Sequence, residues 1–388
     1  MRMLLITLTV ISAALVVKAQ TFLNDYNWVS QAGYHYGVQS PRQNFREYLN
    51  IDHGTADYTL NSEEAPWAGN YYPMASDGIA TRWQRHFGSE LSEETSADHT
   101  RGSETRLNRA RVLEMDAATL NQLSPAEKMD IFLGDYSFKI TRRELRSRGT
   151  LRRPTPQSWE GFCNGVRAAG LLAPEPVNSI KVQNPDGVEI EFAAADLKAL
   201  IGASYFYVEK YNQIGNPTRR GEAKNLPNAA VFDMALRQMI GEAKKGFVID
   251  VNSTSEIWNE TIVGYTRSMQ EERDLTESEA SKHPTAQMAR EYRLVLRTLG
   301  EIGISRSNRE TREGVASGRY TTSKVAYYTV FMKNNGQIVD GEWTGGEIPD
   351  FAWFPGGRGA DASFASSGGN RHLPYNQVIR LVRQAAAE

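Results

Sequence analysis

The chain has 388 residues and a single cysteine, Cys163. No disulfide within the chain can hold it together, so it must close around a hydrophobic core. With 40% hydrophobic and 23% charged residues it has ample material for one, as one large domain or two modest ones. The net charge of -2 and the pI of about 6.4 give no basic excess, which sets nucleic acid aside as a partner.

The lone thiol gains meaning from the N-terminus. Residues 1–20 carry one early positive charge, an apolar run too short to span a bilayer, and small residues Val17 and Ala19 at the -3 and -1 positions. The pattern predicts a signal peptide over residues 1–19 and a secreted or periplasmic mature protein. No cysteine follows the run as a lipid attachment point, and no later segment reaches spanning length, so stable membrane insertion is not expected. Outside the cytoplasm an unpaired thiol is a liability, so Cys163 is either a small buried hydrophobe or a reactive group.

Along the chain, residues 20–60 read as an extended N-terminal arm. Ser62–Gly88 reads as an irregular segment packed by its aromatics before a short helix, and Leu91–Thr105 as a charged loop. A single domain is expected over residues 61–388. Ser124-Pro125 followed by Glu127 is a helix start, and Asp196–Phe206 has acidic-start, apolar-spaced helical character. Val231–Gly241 and Lys244–Val251 read as consecutive strands. Val325–Trp343 reads as a hairpin about Asn335-Gly336, and Tyr375–Glu388 as a closing helix. The charged stretch 270–319 predicts an irregular insertion with exposed helices.

Around the thiol the sequence is W-E-G-F-C-N-G-V-R, a glycine-containing loop entering a helix near Cys163. A thiol at a helix start lies by unpaired backbone N–H groups and the positive end of the dipole, which favour thiolate. Those N–H groups also suit the oxyanion of a tetrahedral intermediate. The residue-level alternative is that the glycines mark only a tight turn.

The chain resembles the transglutaminase elicitor family, secreted oomycete proteins with bacterial relatives. The resemblance runs in order from Pro66 to Trp353: P-W-A-G-N-Y-Y-P-M-A-S-D-G-I-A-T-R-W, G-D-Y-S-F, W-E-G-F-C-N-G with Glu175-Pro176, F-A-A-A-D-L-K-A-L, F-V-I-D-V, E-I-W-N-E-T-I-V-G-Y, I-V-D-G-E-W and P-D-F-A-W. It implies an α+β fold with a transglutaminase- or papain-like core, the cysteine at a helix N-terminus packed on an antiparallel sheet. It also implies acyl transfer from protein glutamine to an amine through a thioester on Cys163, with Asp250 matching the acid that orients the histidine. The histidine position itself, expected on a strand, is filled by Asp233, and the stretch after the nucleophile departs from the family in reading C-N-G-V-R.

An imidazole steadies a thiolate and returns a proton to the leaving amine, whereas a carboxylate raises the thiol pKa. The resemblance therefore carries alternatives: a non-catalytic binding protein on the same scaffold, or a cysteine amidase or peptidase in which water replaces the amine. Expected partners are glutamine- or lysine-bearing proteins or peptides, including cell-wall-linked ones. Trp159, Trp258 and Trp343 are candidates for a substrate wall, against the commoner role of tryptophan as core. His283 and His372 read as surface residues. No His/Cys cluster has metal-ligand spacing and no cofactor is expected, with calcium on surface acids the alternative. Sequons occur at Asn252 and Asn259.

Overall fold

The computed structural model describes residues 22–33, 36, 56–83, 89–102, 106–217, 225–251, 256–303, 310–359 and 369–386. The signal-like segment, His35, His53, His86 and the Asn252 sequon lie outside the described residues. The chain divides into two compact units: a sheet unit within Met1–Ala65, Tyr211–Gly300 and Val315–Gly356, and a helical unit within Pro66–Lys210, Glu301–Gly314 and Gly357–Glu388.

The strands in chain order are β1 (Ala56–Thr59), β2 (Ile180–Gln183), β3 (Glu189–Phe192), β4 (Val208–Gly215), β5 (Phe247–Asp250), β6 (Glu260–Arg273), β7 (Met288–Leu299), β8 (Thr321–Met332), β9 (Ile338–Gly346) and β10 (Phe351–Gly359). The large sheet has the order β4-β10-β5-β6-β7-β8-β9, with β1 also paired to β6; β2 and β3 form a separate ribbon. The β5–β6, β6–β7, β7–β8, β8–β9, β1–β6 and β10–β5 pairings are antiparallel. β7 and β8 run in unbroken register from Met288↔Met332 to Leu299↔Thr321. Their buried positions alternate along β7, as period-2 side chains require.

The expected hairpin is β8–β9. Its turn is closed by Lys333 N donating to Gln337 O at 2.9 Å, with Gly336 at φ +82°, a conformation open to glycine at no steric cost. Three expectations for this unit are corrected. Residues 22–33 form a helix rather than part of an extended arm, burying Phe22, Val29 and Ala32. Within 270–319 the exposed helix Glu277–Lys282 is as expected, but residues 270–273 and 288–299 belong to β6 and β7 rather than to an irregular insertion, with charges paired across the strands: Arg290 Nε with Glu272 at 2.6 Å and Arg273 Nε with Glu291 at 2.8 Å. Val231–Gly241 is not a strand but part of a helix, Ala229–Ala235, continued by a π-helical segment, Leu236–Glu242. The Asn228 side chain caps its start, and nearly every residue is buried, so no amphipathic period marks it in the sequence. Phe232 on this helix meets Phe247 and Trp343 edge-on at 5.8 and 5.4 Å.

In the helical unit, Pro125–Phe132 begins with the Ser124/Glu127 capping box that the sequence signals. The centre is Ala194–Ser204, a helix buried along its whole length. Its Asp196 accepts from Lys128 Nζ (2.7 Å), Trp83 Nε1 (2.6 Å) and Ala193 N (2.8 Å). Trp67 donates to Ala173 O at 3.0 Å, so the aromatics of the 66–83 segment act as anchors, as expected. The charged run after residue 88 is a helix, Ser89–Thr100, rather than a loop; its buried His99 contacts Glu127 at 2.9 Å and stacks obliquely on Phe138. The chain closes with the helix Tyr375–Ala385.

His283 is buried rather than on the surface. Its ring stacks on Phe331 at 3.9 Å, with Nδ1 3.2 Å from Asp340 and Nε2 3.4 Å from Glu342. Burial pushes its pKa down, but the two carboxylates prevail and hold it above the ordinary value. A raised folded-state pKa stabilises fully below the unfolded value near 6.5, and that contribution disappears as pH rises through the folded-state pKa. The melting temperature is therefore expected to fall across that window in the wild type. His283→Gln, melted by circular dichroism at the same pH values, should lack this component.

Candidate active site

The cysteine helix, Cys163–Leu172, starts at the thiol itself. Its first hydrogen bond runs from Val166 N to Phe162 O at 2.9 Å, so the amides of Asn164 and Gly165 belong to the first turn, where no acceptor exists within the helix. The preceding loop is laced to residues 71–74: Phe162 N donates to Tyr71 O (2.6 Å), Met74 N to Glu160 O (2.8 Å), and Tyr71 Oη to Ser158 O (2.9 Å). Both glycines of the motif are explained by close approach. A Cβ on Gly161 would strike the carbonyl and ring of Tyr71, and one on Gly165 the Gly202 carbonyl of the buried central helix. Within the helical unit, then, the cysteine helix seats backbone to backbone on Ala194–Ser204.

The thiol is 6% exposed. Arg148, also buried, is tied to the loop that precedes the thiol: its Nη2 donates to Gly161 O at 2.9 Å. Its guanidinium stands 4.1 Å over the Phe162 ring and 3.9 Å over the Phe206 ring. The guanidinium is thus held by Gly161 and Phe162, the two residues before the thiol. At Tyr71, burial, then Glu301 and Cys163, push the phenol above the ordinary value. Asn164 Nδ2 donates to the Phe206 backbone carbonyl at 3.0 Å, tying the helix start to the same residue. Further along the helix, buried Arg167 pairs with Glu301 at 2.8 Å. Trp159, in the loop before the thiol, is half-buried.

In the sheet unit, Asp250 is buried at the end of β5 and its Oδ1 accepts from Trp258 N at 3.2 Å. Asp250 and Trp258 share an open cleft of ≈ 390 Å³ with Glu260, Glu347 and Asp350, opposed by one cation, Lys324, 3.2 Å from Glu260. Trp343 packs against Phe232 and Tyr328 and donates to Pro227 O, so it is a packing residue. Asn259 of the second sequon is buried and accepts from Trp353 Nε1.

Asp233 does not line that cleft. It is buried on the Ala229–Ala235 helix, 3.1 Å from Arg267 Nη1 and 3.0 Å from Arg237 Nε, and accepts from Tyr328 Oη at 2.8 Å. Burial raises its pKa, but the Arg267 and Arg237 charges and the Tyr328 bond outweigh it and hold the carboxyl below its usual range. It is thus an ionised acid between two cations, with no proton to donate. The described histidines are His99, engaged with Glu127; His283, between Asp340 and Glu342; and His372, beside Arg371.

The sequence motif located the thiol and Asp250. It did not reveal Arg148, whose segment R-E-L-R-S-R-G carries no local signal; only the fold brings it to the loop before the thiol. Among the described residues no group of three or more His, Cys, Asp or Glu side chains could hold a metal ion, and no helix is long and apolar enough to cross a membrane.

The fold resembles the crystal structure of the GP42 transglutaminase from Phytophthora sojae, with a TM-score of 0.59 at 18% identity, covering 88% of this chain and 96% of that one. At that identity the likeness concerns the fold, an α+β arrangement with an antiparallel sheet. No match was found among curated proteins. The family model for the transglutaminase elicitor matches residues 38–387. The chain belongs to the transglutaminase elicitor family.

Proposed function

We propose that this transglutaminase-like protein transfers the acyl group of protein glutamine to an amine through Cys163. One observation carries the reading: the chain's single thiol is the first residue of a ten-residue helix, beside first-turn amides, with a buried guanidinium on the two residues before it. In the first half-reaction a C–S bond forms at the glutamine carboxamide carbon and its C–N bond breaks; the thiol proton leaves with the amide nitrogen as ammonia. In the second, an amine nitrogen attacks the thioester, the C–S bond breaks, and the amine's proton returns to sulfur. No redox partner or cofactor is needed for this balance.

The Asn164 and Gly165 amides suit the oxyanion formed in each step. In the sheet unit, the Asp250, Glu260, Glu347 and Asp350 carboxylates against the single Lys324 ammonium favour a cationic ligand, which fits an amine, with Trp258 as an apolar wall. Asp233 takes no part in this chemistry. Export of the protein, on the strength of residues 1–19, would place it among extracellular or cell-wall-linked glutamine- and lysine-bearing proteins.

A second reading, a binding protein on the same scaffold, is favoured by the filled histidine position: Asp233 is committed to Arg267 and Arg237. Dansyl-cadaverine incorporation into a glutamine-bearing protein, followed together with ammonia release, separates the two. The wild type is expected to label the protein and release ammonia, and Cys163→Ser to do neither. Binding of the glutamine protein with no labelling by the wild type would favour the scaffold reading.

A further inference from the structure

We propose that Arg148 is the cation that stabilises the Cys163 thiolate, taking the electrostatic part that a protonated imidazole would otherwise play. It deepens the acyl-transfer reading and rests on it for its functional meaning. Burying a guanidinium costs several kcal/mol unless a carboxylate meets it closely. Arg148 is 6% exposed, and its paired acid, Glu144, comes no nearer than 3.7 Å from Nε. What holds it is instead the loop of the nucleophile, through the Gly161 carbonyl and the Phe162 face, together with the Phe206 ring just past the central helix. Gly161 and Phe162 are the two residues immediately before Cys163, so the positive charge is fixed in the loop that delivers the thiol to its helix.

The other charged or titratable groups in range of the guanidinium are Glu144, Tyr207 and Glu160. Glu144 is fully buried and in turn senses Arg148, Asp77 and Arg143; burial raises it to about 7. Above that pH Glu144 is ionised and competes with the thiolate for the same cation. Arg148 therefore acts as a positioning residue for charge. It does not carry a proton, because a guanidinium does not give one up in this range.

The test is the pH dependence of iodoacetamide alkylation of the folded full chain, which reads Cys163 alone because the chain has no other cysteine. Arg148→Met is expected to raise the midpoint by about 1–3 pH units, the usual effect of removing a nearby opposite charge. Arg148→Lys should recover most of that shift, and Glu144→Gln should move the midpoint below the wild-type value. An Arg148→Met protein that melts like the wild type and titrates at an unchanged midpoint overturns the proposal. If Arg148→Met does not fold, Glu144→Gln decides, since an unchanged or raised midpoint overturns it equally. The thiol titration is independent of acyl transfer. An Arg148-dependent midpoint in a protein that labels nothing with dansyl-cadaverine would sink the acyl-transfer reading while leaving the charge assignment standing.

Discussion

Asp233→Ala is expected to lower the unfolding free energy by about 3–5 kcal/mol, because it leaves a buried guanidinium without its counter-charge. Arg267 is 1% exposed and pairs with Asp233; Arg237 and the Tyr328 hydroxyl share the same carboxylate. Urea denaturation followed by tryptophan fluorescence measures the loss. Asp233→His, which would install the family's residue, is expected to be destabilising too, since it adds a third nitrogenous base beside two guanidiniums and removes their acid. Folded Asp233→His should alkylate at Cys163 with the wild-type pH midpoint. A stable Asp233→His protein with a lowered midpoint would contradict the view of Asp233 as an ion-pair anchor.

The second large effect is expected in the helical unit. Asp196 gathers the Lys128 ammonium, the Trp83 indole and the Ala193 amide onto one fully buried carboxylate at the start of the central helix. Asp196→Ala strands all three, again at about 3–5 kcal/mol. The unpaired ammonium is the dominant part of that cost. Asp196→Ala measured in a Lys128→Met background should therefore cost less than in the wild type, by a coupling on the order of 1–3 kcal/mol. Additivity within error would show that the ion pair contributes nothing beyond packing. The cysteine helix rests on this same central helix through Gly165 and Gly202, so loss of Asp196 should also blunt Cys163 reactivity.

Features with local causes were legible in the sequence. Ser124-Pro125 with Glu127, Asn335-Gly336, and the glycine-flanked cysteine each specify their structure within a few residues, and the structure follows them. The helix around Asp233 was not legible. Val231, Phe232, Met234, Leu236, Met239 and Ile240 are all buried, so its hydrophobic pattern has neither the 3.6 nor the 2.0 period and resembles a core strand. The paired ends of β6 and β7 were missed for the opposite reason: they are rich in charge, including the buried Arg290, and the cross-strand pairs that neutralise it join residues 18 apart in sequence. The site divides in the same way. Cys163 and Asp250 stand in short motifs, whereas Arg148, just past the end of the helix Lys139–Ser147, reaches the Gly161 carbonyl of the thiol's loop, and only tertiary packing connects them.

Acyl transfer through Cys163 requires a covalent acyl intermediate on its sulfur. Its most direct test is the intact mass of the protein after incubation with a short glutamine peptide in the absence of amine, quenched in acid. The expected product is an adduct equal to the peptide minus ammonia, mapping to Cys163, cleared by added cadaverine and absent in Cys163→Ser. An unmodified mass under conditions where the peptide demonstrably binds would contradict it, leaving a transglutaminase-like protein that binds its partner without reacting with it.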